Sequence, residues 1–194
     1  VAAGVDPAPY LEKPMTLLEL IQRRQSTRSY EPGRRIDRTV LDRCLEAARL
    51  APSACNSQPW SFVVVDEPDR VRALAEAACT RPPYGLNKFV RDSSALIAVV
   101  TEKMKLAARL GAQFRGVQYN LIDIGIATEH LVLQATEEGL ASCWLGWFNE
   151  RAVQQHLGLP RASKVDLLIA LGYPQDAPIR TKIRRSLDDI RRYV

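Results

Sequence analysis

The chain has 194 residues, 46% of them hydrophobic, a formal charge of +5 and a pI near 9.2. That is enough for one domain with a real core and short for two, and no apolar run reaches the ~18 residues that a membrane-spanning helix needs. With no leader pattern read at the N-terminus and no C-x-x-C pair among Cys44, Cys55, Cys79 and Cys143, the expectation is a soluble, cytoplasmic protein with reduced thiols.

The basic residues gather at Arg23, Arg24, Arg28, Arg34 and Arg35 and again from Arg180 to Arg192, without interleaved aromatics or a recognition-helix pattern. A solvated basic surface or a pocket for a small anion fits this better than nucleic acid. Neither nucleic acid nor membrane is expected as a partner.

Val1 to Pro14 has prolines and no periodicity and reads as an N-terminal arm or an artificial remnant, leaving 15–194 as a single domain. Thr16-Leu17-Leu18-Glu19 has the spacing of a capping box, and Leu17, Leu20 and Ile21 supply an apolar face, so a helix is expected to about Arg24. Pro32-Gly33 marks a turn. Asp37 is placed to cap a second helix with a stripe of Val40, Leu41, Cys44, Leu45, Ala48 and Ala51, stopped by Pro52. Ala51-Pro52-Ser53-Ala54-Cys55-Asn56-Ser57-Gln58-Pro59-Trp60 is a polar loop whose hydroxyl and amide groups compete with regular backbone bonding. Apolar segments hold it on both sides, which makes it a candidate binding loop.

Phe62 to Val65 reads as a buried strand, Pro68 to Cys79 as a helix, Arg81 to Gly85 as a loop and Ala95 to Thr101 as a second buried strand. Glu102 to Gly116 has no clear rhythm. A long helix is expected from Val117 to Glu138, with Leu121, Ile124, Thr128, Leu131, Val132 and Ala135 on its buried face and Gly139 as its stop. Cys143 to Phe148 and Val165 to Leu171 complete the strands, around a helix capped by Asn149, and Ser186 to Asp189 forms a cap for a last helical turn. Helices and strands mix without a strict β-α-β repeat, which favours an α+β layer over a doubly wound sheet.

No G-x-G-x-x-G follows a strand and no G-x-x-x-x-G-K-[ST] occurs. His130 and His156 stand far apart without carboxylate or cysteine in ligand spacing, so no metal is expected. A Ser-His-Asp hydrolase lacks its G-x-S-x-G turn. What remains is anion and amide contacts with no assigned acid or base, the pattern of a protein that positions a cofactor carrying its own chemistry.

Arg24-Gln25-Ser26-Thr27-Arg28-Ser29-Tyr30 followed by Ala51-Pro52-Ser53 and Asn56-Ser57-Gln58-Pro59-Trp60 resembles the paired N-terminal signature of the FMN-dependent nitroreductase family. Asp123-x-Gly125-x-Ala127, Gly139 to Gly146, Ala170 to Pro174 and Lys182-Ile183-Arg184-Arg185 follow in the family's order, so the resemblance runs from Met15 to Val194. It implies a central mixed or antiparallel sheet flanked by helices, in an interlocked homodimer that binds FMN non-covalently at its interface. Arg24, Gln25, Ser26 and Arg28 then resemble the N-terminal contacts to ribityl and phosphate oxygens, and Lys182 and Arg184 the second phosphate clamp. Gln25 stands where a basic residue is commoner, and Ala54 where a small hydroxyl is often found.

By the same resemblance, Pro52, Ser53, Ala54 and Asn56 approach the flavin from the partner subunit, Leu145 and Gly146 pass close to the ring, and Asn87 holds its pyrimidine edge. Phe114, Tyr119 and Trp147, with Tyr84 behind them, are the candidate substrate-side cover. No side chain is given a catalytic role, because the flavin carries the chemistry. The implied reaction is ping-pong transfer of hydride from NAD(P)H through flavin N5 to a nitroaromatic, quinone or similar electrophile. A specialised member of the same fold (a flavin destructase, a ring dehydrogenase or a reductive dehalogenase) and a non-enzymatic flavin-binding module stay as alternatives. The short Glu102 to Gly116 segment, with little length for a lid, favours the generalist.

Overall fold

The computed structural model describes residues 15–79, 82–102, 114–176 and 178–194. The expectations for Val1 to Pro14, and for most of Glu102 to Gly116, lie outside these residues. Helices are α1 (Leu17–Arg23), α2 (Arg38–Arg49), α3 (Pro68–Cys79), α4 (Tyr119–Glu137), α5 (Glu150–His156) and α6 (Leu187–Ile190), with 3-10 turns at Ala54–Asn56 and Gly85–Asp92. The strands β1 (Trp60–Val65), β2 (Ala95–Thr101), β3 (Ala141–Leu145) and β4 (Lys164–Gly172) form one sheet in the order β1-β2-β4-β3. Every neighbouring pair is antiparallel, so the fold is α+β and the sheet antiparallel.

Both faces of the sheet are covered. Leu96, Ala98, Val100, Leu168 and Ala170 point into a core shared with Val71, Leu74 and Ala78 of α3 and Val153 of α5. Ala95, Ile97, Val99, Ile169 and Leu171 point the other way, into a core with Leu41, Cys44 and Ala48 of α2 and Ile124, Leu131 and Ala135 of α4. Central strands buried on both faces lose the apolar–polar alternation of a half-exposed sheet, which explains why Ala95 to Val100 reads as an unbroken apolar run. Each fully buried Leu or Ile contributes about 1.5–3 kcal/mol from leaving water.

The local signals behave as their chemistry requires. Thr16 and Glu19 close the capping box of α1, Asp37 caps α2 through Thr39 N–H, Asn149 caps α5 through Ala152 N–H, and Ser186 with Asp189 makes a second capping box at α6. Gly139 ends α4 with φ +74°, a conformation that costs a Cβ-bearing residue energy. All four cysteines are free, and three are buried. Burial pushes the Cys44 thiol up to about 12, which keeps it a neutral small hydrophobe. Among the described residues no helix is long and apolar enough to cross a membrane.

Four expected details are corrected. Helix α2 ends at Arg49, three residues before Pro52, because Leu50 and Ala51 already form a tight turn back to Glu46 and Ala48. Helix α4 starts at Tyr119, and its buried face holds Asp123 and Ala127 in place of Leu121, which is 44% exposed. Strand β3 spans Ala141–Leu145 and stops short of Trp147 and Phe148. The chain turns there because Asn87 Nδ2 donates to Trp147 O at 2.7 Å and the Trp147 indole donates to Pro83 O at 3.1 Å, contacts that an apolar count along the sequence does not register. On α1 the expected apolar face is split, with Leu20 buried and Leu17 and Ile21 left exposed.

One seam positions the candidate site. After α1 the chain runs along the end of the sheet: Thr27 N–H donates to Ser142 O, Glu31 N–H to Tyr173 O, and Gln175 N–H to Ser29 O. Tyr30 is buried beneath it, its hydroxyl donating to Thr27 O at 2.9 Å and its ring lying against Gly172. A Cβ at Gly172 would sit 2.8 Å from the Tyr30 ring, so only glycine lets that ring close the seam.

Candidate functional site

The C-terminal tail returns to this seam. Gln25 Nε2 donates to Pro178 O at 3.0 Å, Arg180 N–H donates to Gln25 Oε1 at 3.1 Å, Arg180 Nη2 donates to Ser26 O at 2.6 Å, and Lys182 Nζ donates to Arg24 O. The tail here runs Arg180-Thr181-Lys182-Ile183-Arg184. Together with Arg24, Gln25 and Ser26 they line a cavity of about 420 Å³. The two clamps expected from opposite ends of the chain therefore meet in one protomer.

This cavity is electrically unbalanced. Glu129 of α4 is the acid recorded against it, with Oε1 3.3 Å from Arg24 Nε. The pair lacks hydrogen-bonding geometry, and the buried Arg24 Nε has no hydrogen-bond acceptor. Burial, then the positive charges of Arg24, Arg184 and Arg180, pull the Lys182 ammonium below its ordinary value, against an opposing pull from Glu129. Four cations, one orphaned N–H and one acid make a donor set suited to a phosphate dianion, which would relieve the mutual repulsion and take the free N–H.

Arg28 lies next door. It lines an adjoining cavity of about 430 Å³ with Gln25, Ser26, Thr27, Gln175 and Arg180, and its guanidinium is 6.0 Å from the centre of the Phe89 ring. Gln25 spends its amide on the tail, so it acts here as a strap.

Leu145 is buried at the end of β3, and Gly146 follows it with open space where a Cβ would stand. Beside them Tyr84 and Trp147 pack ring to ring, 5.7 Å between centres, and Asn87 bonds the Trp147 carbonyl. Tyr84, Asn87 and Trp147 form one cluster. Phe114, 94% exposed, and Tyr119, at the first turn of α4, have no recorded ring contact with it.

The 52–58 loop lines neither basic cavity. Ser53 Oγ accepts from Gln58 N–H at 2.9 Å, Asn56 Oδ1 accepts from Gln58 Nε2 at 2.9 Å, and both Asp123 oxygens accept from Ala54 N–H. Cys55, Asn56 and Gln58 all have positive φ, at 52°, 50° and 47°, which is uncommon for residues with a Cβ. Pro52 and Asn56 are exposed.

Sequence reasoning missed Arg180, Glu129 and the role of Asp123. For Arg180 a signal was present: the alternate basic positions 180, 182 and 184 in a stretch without helical rhythm. Asp123 stands in the Asp123-x-Gly125-x-Ala127 match, but its bond to Ala54 lies 69 positions away and Glu129 meets Arg24 from farther still, so no local pattern shows what either acid touches.

The fold and seam define an α+β protein with a cation-lined cavity at the end of its sheet. The chain belongs to the nitroreductase family, whose model matches residues 21–173. A Thermus thermophilus protein named NADH dehydrogenase is 32% identical over 174 residues, which cover 79% of this chain and 84% of that one. The crystal structure of a nitroreductase family protein from Clostridium novyi NT is 31% identical with a TM-score of 0.69, covering 86% of this chain and 89% of that chain. An FMN-dependent nitroreductase of Clostridium difficile, at 24% identity and a TM-score of 0.66, covers 89% and 93% and shares the fold.

Proposed function

We propose that this chain is an FMN-dependent oxidoreductase that uses NAD(P)H to reduce nitroaromatics, quinones or similar electrophiles, working as a homodimer with two flavin sites. The observation that carries the reading is the unbalanced cavity of Arg24, Arg180, Lys182 and Arg184, in which Arg24 Nε makes no hydrogen bond and meets a single acid, Glu129. When bound, FMN supplies hydride chemistry, from NAD(P)H to N5 and then, ping-pong, to the acceptor. Everything else is asked of this chain's residues.

Arg24, Lys182 and Arg184 would hold the phosphate, and Gln25 and Arg180 fasten the tail so that those charges stay in place. Ser26 lines the same cavity and would meet the ribityl side, with Arg28 beside it. The open space over Gly146 leaves room for the ring edge, and Tyr84 and Trp147 offer an apolar wall near it. Pro52, Ser53, Ala54 and Asn56 would serve the flavin of the partner, since they line neither basic cavity of their own chain. No side chain in this set has to exchange a proton, so protons for the reduced acceptor would come from solvent.

Riboflavin has the ring and ribityl chain of FMN without its phosphate, and comparing the two isolates the carrying observation. One charge-assisted hydrogen bond contributes roughly 1.5–3 kcal/mol, and about 1.4 kcal/mol is tenfold in affinity. Titration of flavin-free protein, followed by flavin fluorescence, is expected to show FMN binding about 100-fold tighter or more. Equal affinities would overturn the phosphate assignment.

A further inference from the structure

Asp123 is a buried carboxylate, 4% exposed, in the first turns of α4, a position that costs free energy unless the charge is well partnered. Its recorded partner is a single group, Ala54 N–H, which both oxygens share at 3.1 and 3.2 Å. That N–H opens the stretch in which Cys55, Asn56 and Gln58 are held at positive φ. Within the stretch, Asn56 N–H bonds Ser53 O, Ser57 N–H bonds Ala54 O, Gln58 N–H bonds Ser53 Oγ and Gln58 Nε2 bonds Asn56 Oδ1. Asp123 ties the stretch to another element, α4. Strained backbone persists only where its surroundings over-determine it.

We infer that Asp123 is a positioning residue of the 53–58 loop, holding Ala54 N–H from α4 so that the loop keeps the one shape that a flavin ring meets. The inference rests on the flavin reading for its purpose but not for its geometry. What the loop requires of residue 123 is an acceptor, so Asp123→Asn should substitute for it and Asp123→Ala should not.

Two readouts separate the claims. In flavin-free protein, hydrogen exchange followed by mass spectrometry should show the amides of Ala54, Asn56, Ser57 and Gln58 protected in the native chain and in Asp123→Ala exchanging at least about tenfold faster. In protein reconstituted with FMN, Asp123→Ala should weaken flavin binding about tenfold and alter the visible circular dichroism of the bound ring, while Asp123→Asn stays within about threefold of native in both. Should Asp123→Ala fail to fold, Ala54→Pro removes the same hydrogen bond without touching α4; Ser53 already has the extended φ and ψ of −148° and 155° that a following proline requires. Unchanged exchange in Asp123→Ala or Ala54→Pro overturns the inference, as does equal impairment by Asn and Ala. A native chain that binds no FMN sinks the flavin reading and leaves the exchange result to decide the positioning.

Discussion

Arg184→Ala is expected to raise the dissociation constant for FMN by about one to two decades, the loss that follows from removing one charge-assisted contact of roughly 1.5–3 kcal/mol. It is the cleanest probe of the clamp. Lys182 also donates to Arg24 O, so its removal loosens the strap as well as the charge, whereas the recorded bond of Arg184 is to the carbonyl of its own neighbour Ile183. Lys182→Ala should lose at least as much. The double variant should lose less than the two losses multiplied, because both cations act on one anion. Riboflavin binding should hardly change in any of the three. Equilibrium dialysis with fluorescence detection measures all of them, and full FMN retention by Arg184→Ala would place the phosphate elsewhere.

How much of this was legible before the structure depends on the range of the interaction. The caps at Thr16, Asp37, Asn149 and Ser186 are local bonds between residues two or three apart, and the sequence displays them directly. The doubly covered sheet was legible too, since Ala95 to Val100 has to be buried on both sides. The clamp was visible only as two halves: Lys182 meets Arg24 across 158 positions, and nothing near either residue announces the other. Asp123 was visible as part of the Asp123-x-Gly125-x-Ala127 match but without a role, because its N–H partner Ala54 is 69 positions away. Leu121 was misplaced because an apolar side chain at helical spacing reads as buried.

Exposed apolar side chains underlie the second prediction. Leu17 and Leu18 of α1, Leu121 and Ile122 of α4, and Ile183, Leu187 and Ile190 of the tail are each between 44% and 91% exposed in the protomer. On the homodimer reading, these are the side chains that a second copy would cover. The native protein is therefore expected to elute at twice its 21.7 kDa protomer mass at micromolar concentration. Ile122 is adjacent to the loop anchor Asp123, and a carboxylate placed there would be buried without a counter-charge in each half of a two-fold interface, at a cost of several kcal/mol. Ile122→Asp should shift most of the protein to monomer and lose most of its bound flavin with it. Light scattering on both forms decides the point, and a native monomer that carries FMN would contradict the dimeric site.

The most direct test of the oxidoreductase reading is the visible spectrum of the purified protein during anaerobic titration with NADH and, separately, NADPH. The expected result is a flavin spectrum that bleaches stoichiometrically with at least one of the two donors and returns on addition of a quinone or nitroaromatic. A bound flavin that neither nicotinamide bleaches, or a protein that takes up no FMN at all, would contradict it.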